Sequence, residues 1–176
     1  MSFPPDEVKE LVLEISQILK SKNQTLAISE AACGGLLSAY LVSVPGASAF
    51  YIGGKLVYSL KQRLKLSGWS DEDIRNYMGP SEAVALKLAR TTKYELGSTY
   101  VLSETGFAGP TTDLHLANDS KISDKSKGVG TVYLGLSGPK GDVSCSYHTD
   151  SSDRSYNMTQ FAKMGLQFLL TELQKE

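Results

Sequence analysis

The sequence predicts an α/β fold, with a mixed sheet that is mostly parallel, has one antiparallel member and is covered by helices. Helix-period and strand-period segments alternate along the 176 residues without a repeat or a heptad. Two strand-like segments run out into glycine-rich turns, as strands of open parallel sheets do. Gly138-Pro139-Lys140-Gly141 separates two adjacent strand-like runs and reads as a hairpin, which supplies the antiparallel member.

The elements follow in order. After Pro4-Pro5-Asp6, the residues Val8, Leu11, Val12, Ile15 and Leu19 form one stripe, the spacing of a helix docked on a sheet. Residues 25–31 read as a strand running into Cys33-Gly34-Gly35, and residues 36–44 as a helix stopped by Pro45-Gly46. Residues 50–59 read as a strand in which Gly53-Gly54 marks a bulge or a close backbone approach. Ser81 is a good N-cap, Ala85, Leu88, Ala89, Thr92 and Leu96 repeat at helical spacing, and Gly97 ends that helix. Residues 99–104 form the next strand, and its exit, 105–112, is the second glycine-rich turn. Residues 111–128 are polar and unpatterned, which predicts a mobile loop, either a lid or disordered decoration. Residues 129–136 and 143–149 flank the hairpin, and alternation of Val143, Cys145 and Tyr147 with Ser144, Ser146 and His148 predicts one wet face. Asp153 and Arg154 open a last helix with Met158, Phe161, Ala162, Gly165 and Leu169 inward.

Composition narrows the function classes. Eighteen basic against nineteen acidic residues leave no basic excess, so nucleic acid is not the expected partner. Apolar runs such as 168–170 fall far short of the roughly 20 residues of a bilayer helix, so no membrane partner is expected either. The start carries neither a basic nor an apolar signal region, and with only two cysteines the expected setting is cytoplasmic, in one domain over residues 1–176. His115 and His148 are the only histidines, too few for a His-rich metal centre, so no metal and no cofactor are expected.

Chemistry is expected at the glycine-rich strand exits, where free backbone N–H groups favour anions such as a mononucleotide phosphate. Cys33-Gly34-Gly35 is neither a Walker loop nor the dinucleotide G-x-G-x-x-G. The alternative is that its small residues only let a helix pack close to a strand.

Six segments, in order and at compatible spacing, resemble the CinA C-terminal domain family. Residues 25–35, ending Glu30-Ala31-Ala32-Cys33-Gly34-Gly35, are similar to T-x-A-x-A-E-S-C-T-G-G, and Val44-Pro45-Gly46-Ala47-Ser48-Ala49 to V-P-G-[AS]-S-A. Gly53-Gly54 with Tyr58-Ser59 resembles G-G-x-x-x-Y-S, and Thr105-Gly106-Phe107-Ala108-Gly109-Pro110 resembles T-G-I-A-G-P. Val129-Gly130-Thr131-Val132 resembles V-G-T-V, and Asp153-Arg154 stands where the family has G-D-R. The resemblance implies a three-layer α/β/α fold, a homo-oligomer, and an amidohydrolase that converts nicotinamide mononucleotide to nicotinate mononucleotide and ammonia. It further implies that Ser48, Tyr58 and Thr105 are catalytic, Ser48 as the nucleophile. Glu30, Gly34, Gly35, Arg63, Gly106, Gly109 and Arg154 would contact the nucleotide.

The departures bear on chemistry. Arg63 stands at the position of the family's lysine, and unlike a buried lysine, an arginine with a pKa above roughly 12 cannot become neutral and accept a proton. Lys61 and Lys65 lie about 200° round a helix from it. Ala31, Ala32 and Cys33 replace serine, cysteine and threonine, Met158 replaces a basic residue, and Gly128 replaces a proline. Function therefore divides between the amidohydrolase and a catalytically inactive descendant that binds a small nucleotide or serves as an interaction module. Local readings stay open too. Ser48 is a nucleophile or a cap; Tyr58 is a ligand contact or a strand aromatic; Thr105 is an oxyanion contact or a turn-former. Arg154, near a helix start, needs an anionic partner in Glu30, Asp153 or a ligand. Cys33 is either a thiolate activated by a helix start or a buried small residue.

Overall fold

The helical stripe at the start of the chain becomes α1, Asp6–Ser21, in a computed structural model that describes residues 2–112 and 128–176. Val8, Leu11, Val12, Ile15 and Leu19 are all buried along it, with Asp6 and Glu7 in its first turn and Lys20 in its last, as the helix dipole favours. The chain continues through β1 (Leu26–Glu30), α2 (Leu36–Val42), a 3-10 turn (Ala47–Ala49) and β2 (Tyr51–Leu56). Then come α3 (Leu60–Leu66), α4 (Asp71–Arg75), α5 (Glu82–Leu96) and β3 (Tyr100–Gly106), followed by β4 (Thr131–Gly138), β5 (Gly141–His148) and α6 (Arg154–Gln174).

The sheet order is β2-β1-β3-β4-β5. β1 pairs in parallel with β2 and β3, whereas β4 runs against both β3 and β5, so it alone is reversed. The hairpin is the expected one, closed by the Gly138–Gly141 pair. Both readings of Gly53-Gly54 hold. The β1–β2 register skips Ile52, and a Cβ on Gly54 would stand 2.3 Å from the Ile28 carbonyl oxygen.

Alternation along the strands builds two cores. Leu26, Ile28, Leu102, Val132, Leu134 and Leu136 join α1, α2 and α6 in the larger one. The opposite face is small: Ala27 and Val101 pack on Ala89 of α5, and a Cβ on Gly135 would lie 2.7 Å from the Ala85 backbone. α5 therefore sits close on the sheet, capped by Ser81, which accepts from the Val84 N–H at 3.1 Å, and ended by Gly97 at φ 69°. Leu64, Tyr77, Val84 and Leu88 form a satellite core that ties α3 and α4 to α5.

Three expectations need correction or limits. β5 has no well-covered face: it is the sheet edge, and Val143 and Tyr147 are 39% and 41% exposed. The strand predicted over 50–59 ends at Leu56, because Ser59 starts α3. Of the segment predicted as a mobile loop, 111–128, residues 113–127, including His115, lie outside the described residues. Among the described residues, no helix is long and apolar enough to cross a membrane.

Candidate ligand site at the carboxyl ends of the strands

β1, β2 and β3 run in one direction, so their exits, the segments 31–35, 57–59 and 106–110, open at the same end of the sheet. α6 starts at that end as well, where Arg154 reaches the 106–110 turn. The β1–β3 register ends at Ser29 and Ser103, and continued two residues it sets Ala31 beside Thr105.

The polar centre is Arg63. It projects from α3 and is only 6% exposed, and its Nη2 donates to the Thr105 hydroxyl at 3.0 Å. Its Nε is buried and has no acceptor. The hydroxyl of Tyr77, which follows α4, is likewise buried without a hydrogen-bond partner. Burial pushes it up to about 12, against the lowering effect of Arg63 and Thr105 beside it. Among the described residues, no carboxylate pairs with Arg63.

A second arginine stands on the exposed rim. Arg154 donates from Nη1 to the Gly109 carbonyl at 2.6 Å and from Nη2 to the Tyr58 hydroxyl. Neither anionic partner expected from this chain is used. Asp153 caps α6, accepting from the Tyr156 N–H at 2.8 Å, and Glu30 caps α2. Gly109, at φ +97°, cannot carry a side chain, since a Cβ would fall 2.7 Å from Val129 Cγ1. Asn157, fully buried, clamps the turn, its Nδ2 donating at 2.9 Å to the carbonyls of both Ala108 and Ser151. Gly109 thus seats Arg154, and Asn157 fixes the seat.

Two buried carboxyls support the β1 exit. Glu30, expected against substrate, accepts instead from the Leu37 N–H at 2.7 Å, the Ser38 N–H at 3.2 Å and the Ser38 hydroxyl at 2.9 Å. These bonds engage both oxygens at the start of α2. Glu104, which sequence reasoning missed, accepts through Oε1 from the Ala31 N–H and, at 3.0 Å, from the Cys33 N–H. Its Oε2 is buried without a partner, and burial pushes the carboxyl up to about 7 despite those bonds and Arg63. Cys33 is no activated thiolate, because burial, Glu104 and Glu30 all push its thiol up.

The glycines divide by role. Gly34 and Gly35 turn the chain into α2 at φ +64° and +100°, closed over by Met158 and Leu56. Gly106 answers to the sheet: a Cβ there would lie 2.3 Å from the Thr131 carbonyl oxygen.

Ser48 is the residue the structure does not bring here. It is exposed in the 3-10 turn before β2, beside the amino ends of the strands, where Phe50 O receives the Leu26 N–H. β2 separates it from Tyr58, a span on the order of 17 Å at about 3.3 Å per residue. It lies inside that turn, whose N-cap position is filled by Gly46. The positions that face the cluster are Ala31 and Thr105.

Among the described residues, no group of three or more His, Cys, Asp or Glu side chains is placed to hold a metal ion. An open cavity of about 600 Å³ lies beside the start of β4 and the end of β5, lined among the described residues by ones that include Val129, Thr131, His148 and Ser152 but not by Arg63, Thr105 or Arg154. His148 Nδ1 lies 2.9 Å from the Thr131 hydroxyl there, and its Nε2 is 3.2 Å from an Asp150 carboxylate that is 93% exposed.

The profile of the CinA C-terminal domain matches residues 8–173. A CinA-like protein of Nostoc punctiforme is 35% identical over 131 residues, covering 73% of this chain and 29% of its own length. A CinA-like protein of Desulfosudis oleivorans is 29% identical over 163 residues, covering 93% and 37%. The chain therefore spans only about a third of these relatives. Among solved structures, the competence/damage inducible protein CihA from Agrobacterium tumefaciens superposes with a TM-score of 0.83 at 22% identity, covering 97% of this chain and 98% of its own. The CinA superfamily protein KP700603 from Klebsiella pneumoniae gives 0.81 at 19% identity, covering 96% and 99%.

Proposed function

Since the chain belongs to the CinA C-terminal domain family, we propose that its carboxyl-end cluster binds a small phosphorylated nucleotide of the nicotinamide mononucleotide type, without hydrolysing it through Ser48. The observation that carries this reading is a pair of arginines at one sheet end that form no ion pair with a carboxylate among the described residues. Arg63 reaches Thr105, and Arg154 reaches Gly109 and Tyr58, so both converge on the 105–109 turn. Leaving a buried cation unpaired costs several kcal/mol, and an anionic ligand offsets that cost. Tyr58, 63% exposed on the rim, offers a ring face for a base to stack on.

Hydrolysis of a carboxamide needs a nucleophile at the carbonyl carbon, a group to take its proton and a donor for the leaving ammonia. The resemblance implies Ser48 as nucleophile with a lysine at position 63; here Ser48 stands beside the amino ends of the strands, position 63 is a permanent cation, and Ala31 adds no hydroxyl at the cluster, which supports binding without turnover. One observation favours turnover as a second reading. Glu104 Oε2 is buried without a partner beside the β1 exit, and burial pushes that carboxyl up to about 7, the range of a general base.

The test is calorimetric titration with nicotinamide mononucleotide together with an assay for ammonia. Binding heat without ammonia is expected. Ammonia release abolished by Ser48→Ala overturns the non-hydrolytic reading, and release that survives that change but is lost in Glu104→Gln moves the chemistry to Glu104. Absence of binding leaves the interaction-module alternative.

A further inference from the structure

Resting on that nucleotide reading, we infer that Arg63 selects the ligand's ring substituent: the site takes a mononucleotide whose base bears a planar carboxylate, in preference to the corresponding carboxamide. The guanidinium has five N–H donors, of which one meets Thr105 and the Nε donor, although buried, meets nothing. No ion pair forms with Arg63 among the described residues: Glu104, a buried acid that feels its charge, gives Oε1 to the Ala31 and Cys33 N–H groups, and Arg63 is the smallest of the influences on that carboxyl. A carboxylate presents two acceptor oxygens to that fork. A carboxamide presents one acceptor and an NH2 that points donors at donors, so it satisfies fewer of the buried groups and leaves the charge in place.

Depth separates this group from the phosphate. Arg63 sits against the satellite core of Leu64 and Tyr77, where the buried Tyr77 hydroxyl is a further donor for a carboxylate oxygen. A phosphate dianion, larger and more strongly hydrated, suits the exposed rim at Arg154. Ala31, beside Thr105 in the continued register, brings no hydroxyl with which to attack the bound substituent.

The experiment compares three probes by calorimetry at pH 7.5: nicotinate mononucleotide, nicotinamide mononucleotide and ribose 5-phosphate. The first two share one phosphate and one ribose, so their difference isolates the ring substituent. The acid form is expected to bind at least tenfold tighter than the amide, the yield of one charge-assisted bond, and ribose 5-phosphate weaker than the acid form. Arg63→Gln is expected to bring the two mononucleotides within about twofold of each other. Arg63→Lys, which keeps the charge but not the fork, retains only part of the preference. Equal or tighter binding of the amide by the unaltered protein overturns the carboxylate inference and leaves the nucleotide reading standing. Ribose 5-phosphate binding as tightly as the acid form, with Arg63→Gln weakening both alike, assigns Arg63 to phosphate and overturns it as well. Failure of every probe to bind overturns the nucleotide reading itself.

Discussion

The two ends of the sheet treat polar groups differently. At the amino end, Thr25 and Thr99 close on each other: the Thr25 N–H donates to Thr99 Oγ1 at 2.9 Å and the Thr99 N–H to Thr25 Oγ1 at 3.0 Å. Beside them, Ser98 Oγ donates to the Tyr100 carbonyl at 2.8 Å, while among the described residues Gln24 Oε1 and, on the last turns of α5, Thr92 Oγ1 are left buried and unpaired. At the carboxyl end Arg63 Nε, Tyr77 OH and Glu104 Oε2 are all buried without partners among the described residues. Buried polar groups are normally satisfied, so unpaired groups collecting at one end mark where something else completes the structure. The comparison teaches that the amino end leaves two neutral groups unpaired, whereas the carboxyl end leaves charged or ionisable ones, which is where the proposed ligand would be completing the structure.

Changes that test the contrast fall in order of size. Gly106→Ala is expected to destabilise by about 3 kcal/mol, because its Cβ meets the Thr131 carbonyl where β3 pairs with β4. Denaturant titration measures this, and tolerance of the alanine would break the link between the turn and sheet register. Next is the pH dependence carried by Glu104. Its folded value, about 7, lies above the ordinary 4.5, so the folded state holds the proton more tightly than the unfolded chain. That stability is fully present below about pH 4.5 and is lost as pH rises through about 7, by up to about 3 kcal/mol at 1.36 kcal/mol per unit. Glu104→Gln keeps an acceptor for the Ala31 and Cys33 N–H groups and is expected to flatten this slope, gaining stability at pH 8 but not at pH 4. Equal slopes in thermal melts at the two pH values would remove Glu104 from the account.

The comparison sharpens with a pair of opposite sign. Thr99→Val, at the closed end, strands the Thr25 N–H and is expected to cost about 1–2 kcal/mol. Arg63→Met, at the open end, removes an unpaired buried charge and is expected to leave the ligand-free protein unchanged or up to about 1 kcal/mol more stable, while nucleotide affinity falls. Equal losses in both variants would mean that the open end is as self-satisfied as the closed one. Smallest is Ser48→Ala, within about 0.5 kcal/mol in stability and without effect on nucleotide affinity, as befits an exposed side chain at the far end.

Much of the molecule was legible in the chain. Local chemistry marks the helices and strands: the α1 stripe, Ser81 and Gly97 around α5, Asp153 before α6, and the Gly138–Gly141 hairpin all stand where pattern placed them. α3 and α4 are short and amphipathic only over a turn or two, and the one signal for α4, Ser70 three residues before Asp73, is a capping box that the sequence reading passed over. Glu104 left a trace as well, a carboxyl at the end of an apolar strand beside a glycine turn, but nothing local says that its Oε1 reaches the Ala31 and Cys33 N–H groups some seventy residues earlier. Tyr77 and Asn157 gave no such sign, since Thr105 beside the one and the Ala108 carbonyl held by the other are distant in the chain.

The amino-acid order by itself determined the alternation of elements, the two glycine turns, the family and the exchange of a lysine for Arg63, because each is written in neighbouring residues. Only the tertiary structure decided which motif residues share a site. Strand direction sends Tyr58, Thr105 and Arg154 to one end and Ser48 to the other, and a motif string carries no record of that separation. Packing likewise turned Glu30 into a helix cap and left Arg63 without an ion pair among the described residues, since the packing of distant segments sets which polar groups are satisfied.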